Sequence, residues 1–260
     1  IVFTHFFGAA AIAESFAPDI PVCYVNTDFL SHVFHRNPAF SAWFVSSEET
    51  LNQYLADGLS LERVFLTGIP VDPAYASPPG REEARERLGL DMDERIALVM
   101  GGGIGVGPIE EVVLSLHEGG FATEVICGIN EKVRGVLLER FADRPGVRVH
   151  GFVDNMPCRY ASADIIFMKP GGLSTSEALC SGTPIVVTDP IPGQEQRNSD
   201  YLLDRGAARA LFDYRLAAEK AHSLLSTKEE KARVLRAAKR IARPMAGREI
   251  VRKVKEIKDQ

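Results

Sequence analysis

The sequence predicts an α/β protein made of two domains, each built on a parallel sheet. Three observations predict it. Apolar runs of strand length alternate with amphipathic stretches from one end of the chain to the other. Those runs are nearly continuous rather than alternating, the pattern of strands covered on both faces. The alternation is interrupted once, at Gly68–Gly80, by Pro70, Pro73, Pro78 and Pro79, where neither a helix nor a central strand can continue.

In chain order, strands are expected at Pro21–Asn26, Ala42–Val45 and Val64–Leu66, with a helix at Ser47–Asp57 between the last two. After the proline segment a fresh unit opens with a strand at Arg95–Met100. Helix and strand then alternate through Pro108–Glu118, Thr123–Cys127, Glu131–Phe141, Val147–His150, Asp164–Phe167, Leu173–Cys180, Pro184–Val187, Glu195–Asp204 and Ala208–Leu211. The final segment reads as basic helices that split at Pro244–Gly247. The expected division is residues 1–75, 76–226 and 227–260, with the last packing back across the junction of the first two.

Hydrophobic content of 45% and charged content of 25% are those of a soluble globular protein. No apolar run approaches the roughly 18 residues of a spanning helix, and no secretory signal is evident. The chain opens at Ile1 in what reads as mid-domain sequence, so the first domain is expected to be truncated. Cys23, Cys127, Cys158 and Cys180 are widely spaced without a C-x-x-C. They read as buried, reduced thiols of a cytoplasmic protein rather than as disulfides or metal ligands. The net charge of -5 conceals a balance of +7 in residues 227–260 against -12 in the remainder. Such a tail suits anionic phosphates or lipid head groups, or simply a solvated helix face. No aromatic stacking set suggests nucleic acid.

The most informative stretch is Met168–Asn198, MKPGGLSTSEALCSGTPIVVTDPIPGQEQRN. Lys169–Glu177 follows a strand and opens a helix at the sheet edge where open α/β folds bind ligands. Gly171 and Gly172 allow backbone N–H groups to approach a phosphate, and the helix starting near Leu173 adds its positive end. Ser174 either bonds a phosphate or caps the helix. Glu177, one turn inside, is placed to accept from ribose hydroxyls. Pro192–Asn198 starts another helix at a strand end. From it Gly193, Gln194, Glu195 and Asn198 are placed to read sugar hydroxyls, although Glu195 also suits a helix N-terminus by its charge alone. The order suits a nucleotide diphosphate joined to a sugar.

Two further strand-end loops join this set. Gly101–Gly107, GGGIGVG, contributes Gly102 and Gly103. It lacks the G-x-G-x-x-G spacing and the acidic residue of a dinucleotide site, and reads as a tight turn facing a cleft. His150–Pro157, HGFVDNMP, offers Phe152 to a planar base and the Val153 backbone to its edge; Asp154 or Asn155 caps the following helix. In the first domain the candidates are His5 at a strand end, and Asp28 with His32 at i, i+4. A His–Asp pair removes a proton from an attacking hydroxyl, and it also suits a structural reading. No set of metal ligands is evident.

Together these motifs resemble glycosyltransferase family 28: TDF-x-x-H at Thr27–His32, FVSSEET at Phe44–Thr50, TGIPV at Thr67–Val71, the GGG and GFVDNM loops, KPGGLSTSEAL at Lys169–Leu179 and PGQE-x-x-N at Pro192–Asn198. Closest in appearance are the members that make monogalactosyl- or glucosyl-diacylglycerol. The peptidoglycan-precursor N-acetylglucosaminyltransferase branch is second, since that branch carries a hydroxyl residue where this chain has Gly103. The resemblance implies the GT-B fold of two facing Rossmann-like domains, the N-terminal one truncated here. It implies a UDP-sugar donor on the second domain, a membrane-lipid acceptor such as diacylglycerol on the first, and inversion at the anomeric carbon with neither cofactor nor bound metal. It assigns Phe152 and Val153 to uracil, Gly172, Leu173 and Ser174 to phosphate, Glu177 to ribose, and Gln194, Glu195 and Asn198 to the sugar. The family's glycine-rich loop with an acceptor-side His does not precede Ile1, so the resemblance places that base outside these residues. The expected protein is a hexosyltransferase, peripheral on the cytoplasmic face of a membrane. A catalytically silent UDP-sugar-binding subunit and a sugar-nucleotide epimerase are its rivals.

Overall fold

The computed structural model describes residues 1–16, 20–101 and 109–259. By its contacts the chain divides into two units. One comprises Ile1–Ala76, Gly171–Glu177 and Ile241–Gln260; the other comprises Ser77–Pro170 and Ala178–Arg240.

The first unit holds strands β1 (Val2–Phe3), β2 (Cys23–Val25), β3 (Ala42–Val45) and β4 (Val64–Leu66), with helices α1 (Ala9–Phe16) and α2 (Glu48–Ala56). The strands run parallel in the order β1-β2-β3-β4. Strand side chains alternate between faces, and here both faces are covered. Tyr24, Trp43 and Val45 meet Ala9 and Ala13 of α1 and Tyr54 of α2. Cys23, Val25, Ala42 and Phe44 meet Ile250 of the last helix, α11 (Ala246–Lys258). The continuous apolar runs of β2 and β3 are the consequence. Ser47 caps α2 by accepting from the Thr50 N–H at 3.1 Å. The Thr67-Gly68 turn after β4 demands glycine: φ at Gly68 is +93°, and a Cβ there would collide with the Arg243 side chain.

The second unit begins with α3 (Arg81–Leu88) and continues β5 (Ile96–Met100), α4 (Ile109–Glu118), β6 (Ala122–Ile126), α5 (Glu131–Arg140), β7 (Val147–His150) and α6 (Met156–Ser162). It proceeds through β8 (Ile165–Met168), α7 (Gly172–Ser181), β9 (Ile185–Val187), α8 (Gln194–Asp204), β10 (Ala208–Ala210), α9 (Ala217–Leu225) and α10 (Lys228–Ile241). The six strands are parallel in the order β10-β9-β8-β5-β6-β7. That is the doubly wound order, in which the chain leaves β5 in one direction for β6 and β7 and returns to the other side for β8, β9 and β10. Its switch point lies between β5 and β8, and crevices of this kind bind ligands at the carboxyl ends of the strands. One face is packed by Val112, Val113 and Leu116 of α4, Val133 and Leu137 of α5, and Ala221 and Leu224 of α9, over Ala97, Val99, Val125, Phe167 and Val186 of the sheet. At the opposite end of the strands Arg85 is fully buried. It donates to the carbonyls of Ser162, Asp91, Met92 and Glu94 and pairs with Asp164 at 3.0 Å.

Candidate donor site at the sheet switch point

Strand β8 ends at Met168, and α7 begins at Gly172 after the turn Lys169–Gly171. The first helical bond runs from the Thr175 N–H to the Gly171 carbonyl at 2.9 Å, so the N–H groups before it point out of the helix end. Neither Gly171 nor Gly172 has positive φ; their value is space. A Cβ on Gly171 would meet nothing. Within the first unit, a Cβ on Gly172 would collide with the Thr27 carbonyl oxygen and stand 3.3 Å from Asp28 Oδ1. Gly172 and Asp28, drawn from motifs far apart in sequence, therefore sit together. Leu173 is exposed, and Ser174 and Glu177 are half-buried along the same helix.

Residues that spacing did not single out complete the strand ends. Lys169 Nζ pairs with Asp189 Oδ2 at 3.1 Å, joining the ends of β8 and β9. Asp189 is the one non-glycine residue with positive φ, 43°, among the described residues. Aspartate tolerates that region better than most, and such strain gathers at sites where a side chain must be aimed. Tyr214 also meets Asp189. Burial first, and then that carboxylate's charge, push the Tyr214 hydroxyl above its ordinary pKa. Lys169, Thr188 and Asp189 line a cavity of about 20 Å³, room for one small group, with Met100 and Gly101 at the end of β5. Gly102 and Gly103 lie outside the described residues.

The loop after β7 presents Phe152, 74% exposed, with Val153 half-buried beside it. An open aromatic face next to a partly covered backbone is a fitting surface for a planar base.

The PGQE-x-x-N cluster departs from its expected use. Gly193, φ +113°, caps α8, and Gln194 is exposed as a sugar-facing residue should be. Glu195 turns back instead: its Oε2 accepts from the Ile191 N–H at 2.9 Å and closes the loop before the helix. Asn198 is fully buried, and its Nδ2 donates to the Pro170 carbonyl at 3.0 Å. That bond braces the turn that starts α7. The i, i+4 spacing that aligned Asn198 with Gln194 placed it on the inward side of the helix, where the KPGG turn lies.

In the first unit, Asp28 and His32 follow β2 in a bend rather than a helix, so their i, i+4 spacing does not put them on one helical face. His5 and His32 come together around Phe6, with ring centroids 4.7 and 6.4 Å away. His5 Nδ1 accepts from the Phe7 N–H at 3.2 Å, and His32 Nδ1 from the Phe34 N–H at 3.4 Å. Among the described residues no group of three or more His, Cys, Asp or Glu is arranged to hold a metal ion.

Residues 1–71 match the family described as monogalactosyldiacylglycerol (MGDG) synthase, and residues 80–241 match glycosyl transferases group 1. The chain is 32% identical over 238 residues to monogalactosyldiacylglycerol synthase 2, chloroplastic, of Arabidopsis thaliana, across 87% of this chain and 50% of that one. It is 27% identical over 200 residues to the processive diacylglycerol beta-glucosyltransferase of Staphylococcus epidermidis, across 76% and 51%. The chain thus spans about half the length of the curated relatives it matches. Among solved structures, Anabaena Alr3699/HepE in complex with UDP aligns with a TM-score of 0.64 at 16% identity, over 98% of this chain and 78% of that one. The shared architecture is the GT-B fold expected from the sequence.

Proposed function

We propose, from the premise that this chain belongs to the glycosyl transferases of group 1 and through its relatives to family 28, that it carries the donor site of an inverting hexosyltransferase. The donor is a UDP-sugar and the acceptor the hydroxyl of a membrane lipid such as diacylglycerol. One observation carries the reading: β8 ends at the switch point of a doubly wound sheet, where Lys169 pairs with Asp189 on the adjoining strand end, and the chain runs from there directly into the KPGG turn. Uracil lies on Phe152 and the Val153 backbone, the ribose meets Glu177, and the diphosphate meets the N–H groups of Gly172, Leu173 and Ser174. The acceptor hydroxyl attacks the anomeric carbon as its proton passes to a base, for which His5, Asp28 and His32 are the candidates in these residues. The bond to the diphosphate breaks, and UDP leaves with its charge held by the helix end rather than by a resident metal.

Two surfaces of the first unit support a lipid acceptor reached at a cytoplasmic membrane face. A groove of about 420 Å³ is lined by Phe6, Phe7, Val33, Phe34 and Arg36, with Phe7 84% and Phe34 61% exposed. Along α11, Arg248, Arg252 and Lys255 rim a second groove of about 590 Å³ floored by Val71, Pro73 and Val251. Among the described residues no helix is long and apolar enough to cross a membrane.

The test is transfer of labelled hexose from UDP-glucose or UDP-galactose to diacylglycerol in vesicles, beside calorimetry with UDP. The expected result is a glycolipid product, and UDP binding weakened about tenfold or more by Glu177→Ala, the loss of a charged partner's hydrogen bonds. Absence of UDP binding, or binding indifferent to Glu177→Ala, overturns the donor site. UDP binding without transfer favours the catalytically silent subunit.

A further inference from the structure

Glu124 sits in the middle of β6 with its side chain 2% exposed, in a sheet position that an apolar residue would fill at less cost. The parallel register sets it opposite Arg148, and Ile126 opposite His150. Arg148 donates to Glu124 Oε1 and reaches Glu94 at 3.0 Å. His150 Nε2 lies 2.9 Å from Glu124 Oε2, and Arg159 Nη1 donates to the same oxygen. Arg159 does more than neutralise the carboxylate. Its Nη1 stands 3.0 Å from His150 Nε2, while its Nε donates to Asn155 Oδ1 at 3.3 Å.

His150 is the last residue before the loop Gly151–Asn155, and Asn155 is its last residue before α6. The buried Glu124 carboxylate therefore ties His150, at the near stem of the loop that carries Phe152 and Val153, to Arg159, whose Nε holds Asn155 at the far stem. The loop has little packing of its own: Phe152 and Asp154 are exposed. Gly151 rests against the Glu131–Arg134 pair, where a Cβ would stand 3.2 Å from Glu131 Oε1. A base reader made of backbone must be held in place before the ligand arrives, or its ordering subtracts from affinity.

We infer that Arg159, anchored by Glu124, is a positioning residue that fixes the Gly151–Asn155 loop and so sets selectivity for uracil over other bases. This rests on the reading of that loop as the base site.

The test is calorimetry with UDP and with CDP, which differ at the base edge the loop would read, on the full chain and on Phe152→Ala, Asn155→Ala and Arg159→Lys. Asn155→Ala removes only the loop end of the clamp and leaves the Glu124–Arg159 pair intact. Arg159→Lys keeps a charge for Glu124 but cannot also span to Asn155. Each is expected to lower the UDP:CDP affinity ratio about three- to tenfold, the worth of a hydrogen bond. Their combination should do little more than either alone. Thermal melts accompany each variant, since a merely structural role would move the melting temperature and leave the ratio alone. If Phe152→Ala weakens both nucleotides while both clamp variants leave the ratio unchanged, the loop carries the base and the clamp does not set its selectivity, which overturns the inference. If the unaltered protein shows no preference for UDP, or Phe152→Ala leaves the affinity for both nucleotides intact, the loop reading fails and the inference falls with it.

Discussion

Asn198 and Glu124 are polar side chains at opposite ends of the local cost scale, and each makes a prediction. Asn198 is buried with its amide on the Pro170 carbonyl. Asn198→Ala leaves that carbonyl without its donor, so we expect destabilisation of about 1–3 kcal/mol in urea unfolding. UDP affinity should fall with it, because the turn that starts α7 loses its brace. Unchanged stability with loss of hexose transfer alone would return Asn198 to reading sugar. For Glu124, burial by itself raises the carboxyl pKa. The hydrogen bonds from His150 and Arg148 and the Arg148 charge more than offset it, leaving the group below its ordinary value. A depressed folded-state pKa contributes stability that is complete above the unfolded carboxyl value, about 4.3, and is lost as pH falls through the lower folded value. Urea midpoints should therefore drop as pH falls below about 4.5, more gently in Glu124→Gln. A slope identical in the two proteins would show that other carboxylates carry the acid limb.

At the scale of elements, α11 is the cover of one face of the first sheet. Ile250 meets Cys23, Val25, Ala42 and Phe44, with Val254 and Ile257 alongside. Ile250→Ala should cost about 2–4 kcal/mol, whereas Val251→Ala, on the exposed side of the same helix, should change stability by less than about 0.5 kcal/mol. Equal effects in the two would mean that the helix is not packed as described. The role of α11 explains what was legible. Strands β2, β3, β5, β8 and β9 were evident from sequence because covering both faces forces continuous apolar runs, and KPGG was evident because a glycine pair between a strand and a helix is a local pattern. What covers each face is not local, and nothing in residues 246–258 names the sheet they cover. The same limit applies at the site. Lys169 finds Asp189, Asn198 finds Pro170 and Arg159 finds Glu124 across long separations that only the parallel topology closes. Spacing alone grouped Asn198 with Gln194 and Glu195, because a first helical turn read by itself does not show the KPGG turn that its inward side meets.

For the molecule as a whole, the charge division bears on the proposed membrane contact. Residues 227–260 carry a balance of +7 in a chain whose net charge is -5. Attraction to an anionic surface is thus carried by one segment and opposed by the rest, and it reaches only about a Debye length, roughly 8 Å at physiological salt. Each Lys or Arg held near an anionic leaflet contributes about 1 kcal/mol; burying an aromatic such as Phe7 or Phe34 contributes about 1.5–3 kcal/mol and does not depend on salt. The two contributions are of similar size and separable. Co-sedimentation with phosphatidylglycerol vesicles should weaken about thirtyfold in Arg248→Gln/Lys255→Gln at 0.15 M salt, from two lost charges. At 0.5 M salt the unaltered protein and the double variant should converge on a common weaker affinity. Phe34→Ser should weaken binding by a similar factor at both salt concentrations, and binding to uncharged phosphatidylcholine should respond to Phe34→Ser alone. If the double variant binds anionic vesicles as the unaltered protein does, α11 is a solvated face and contact rests on the first unit's aromatic residues. If Phe34→Ser is silent while the charge variant loses binding, the protein stays at the head groups and draws the acceptor out to meet it.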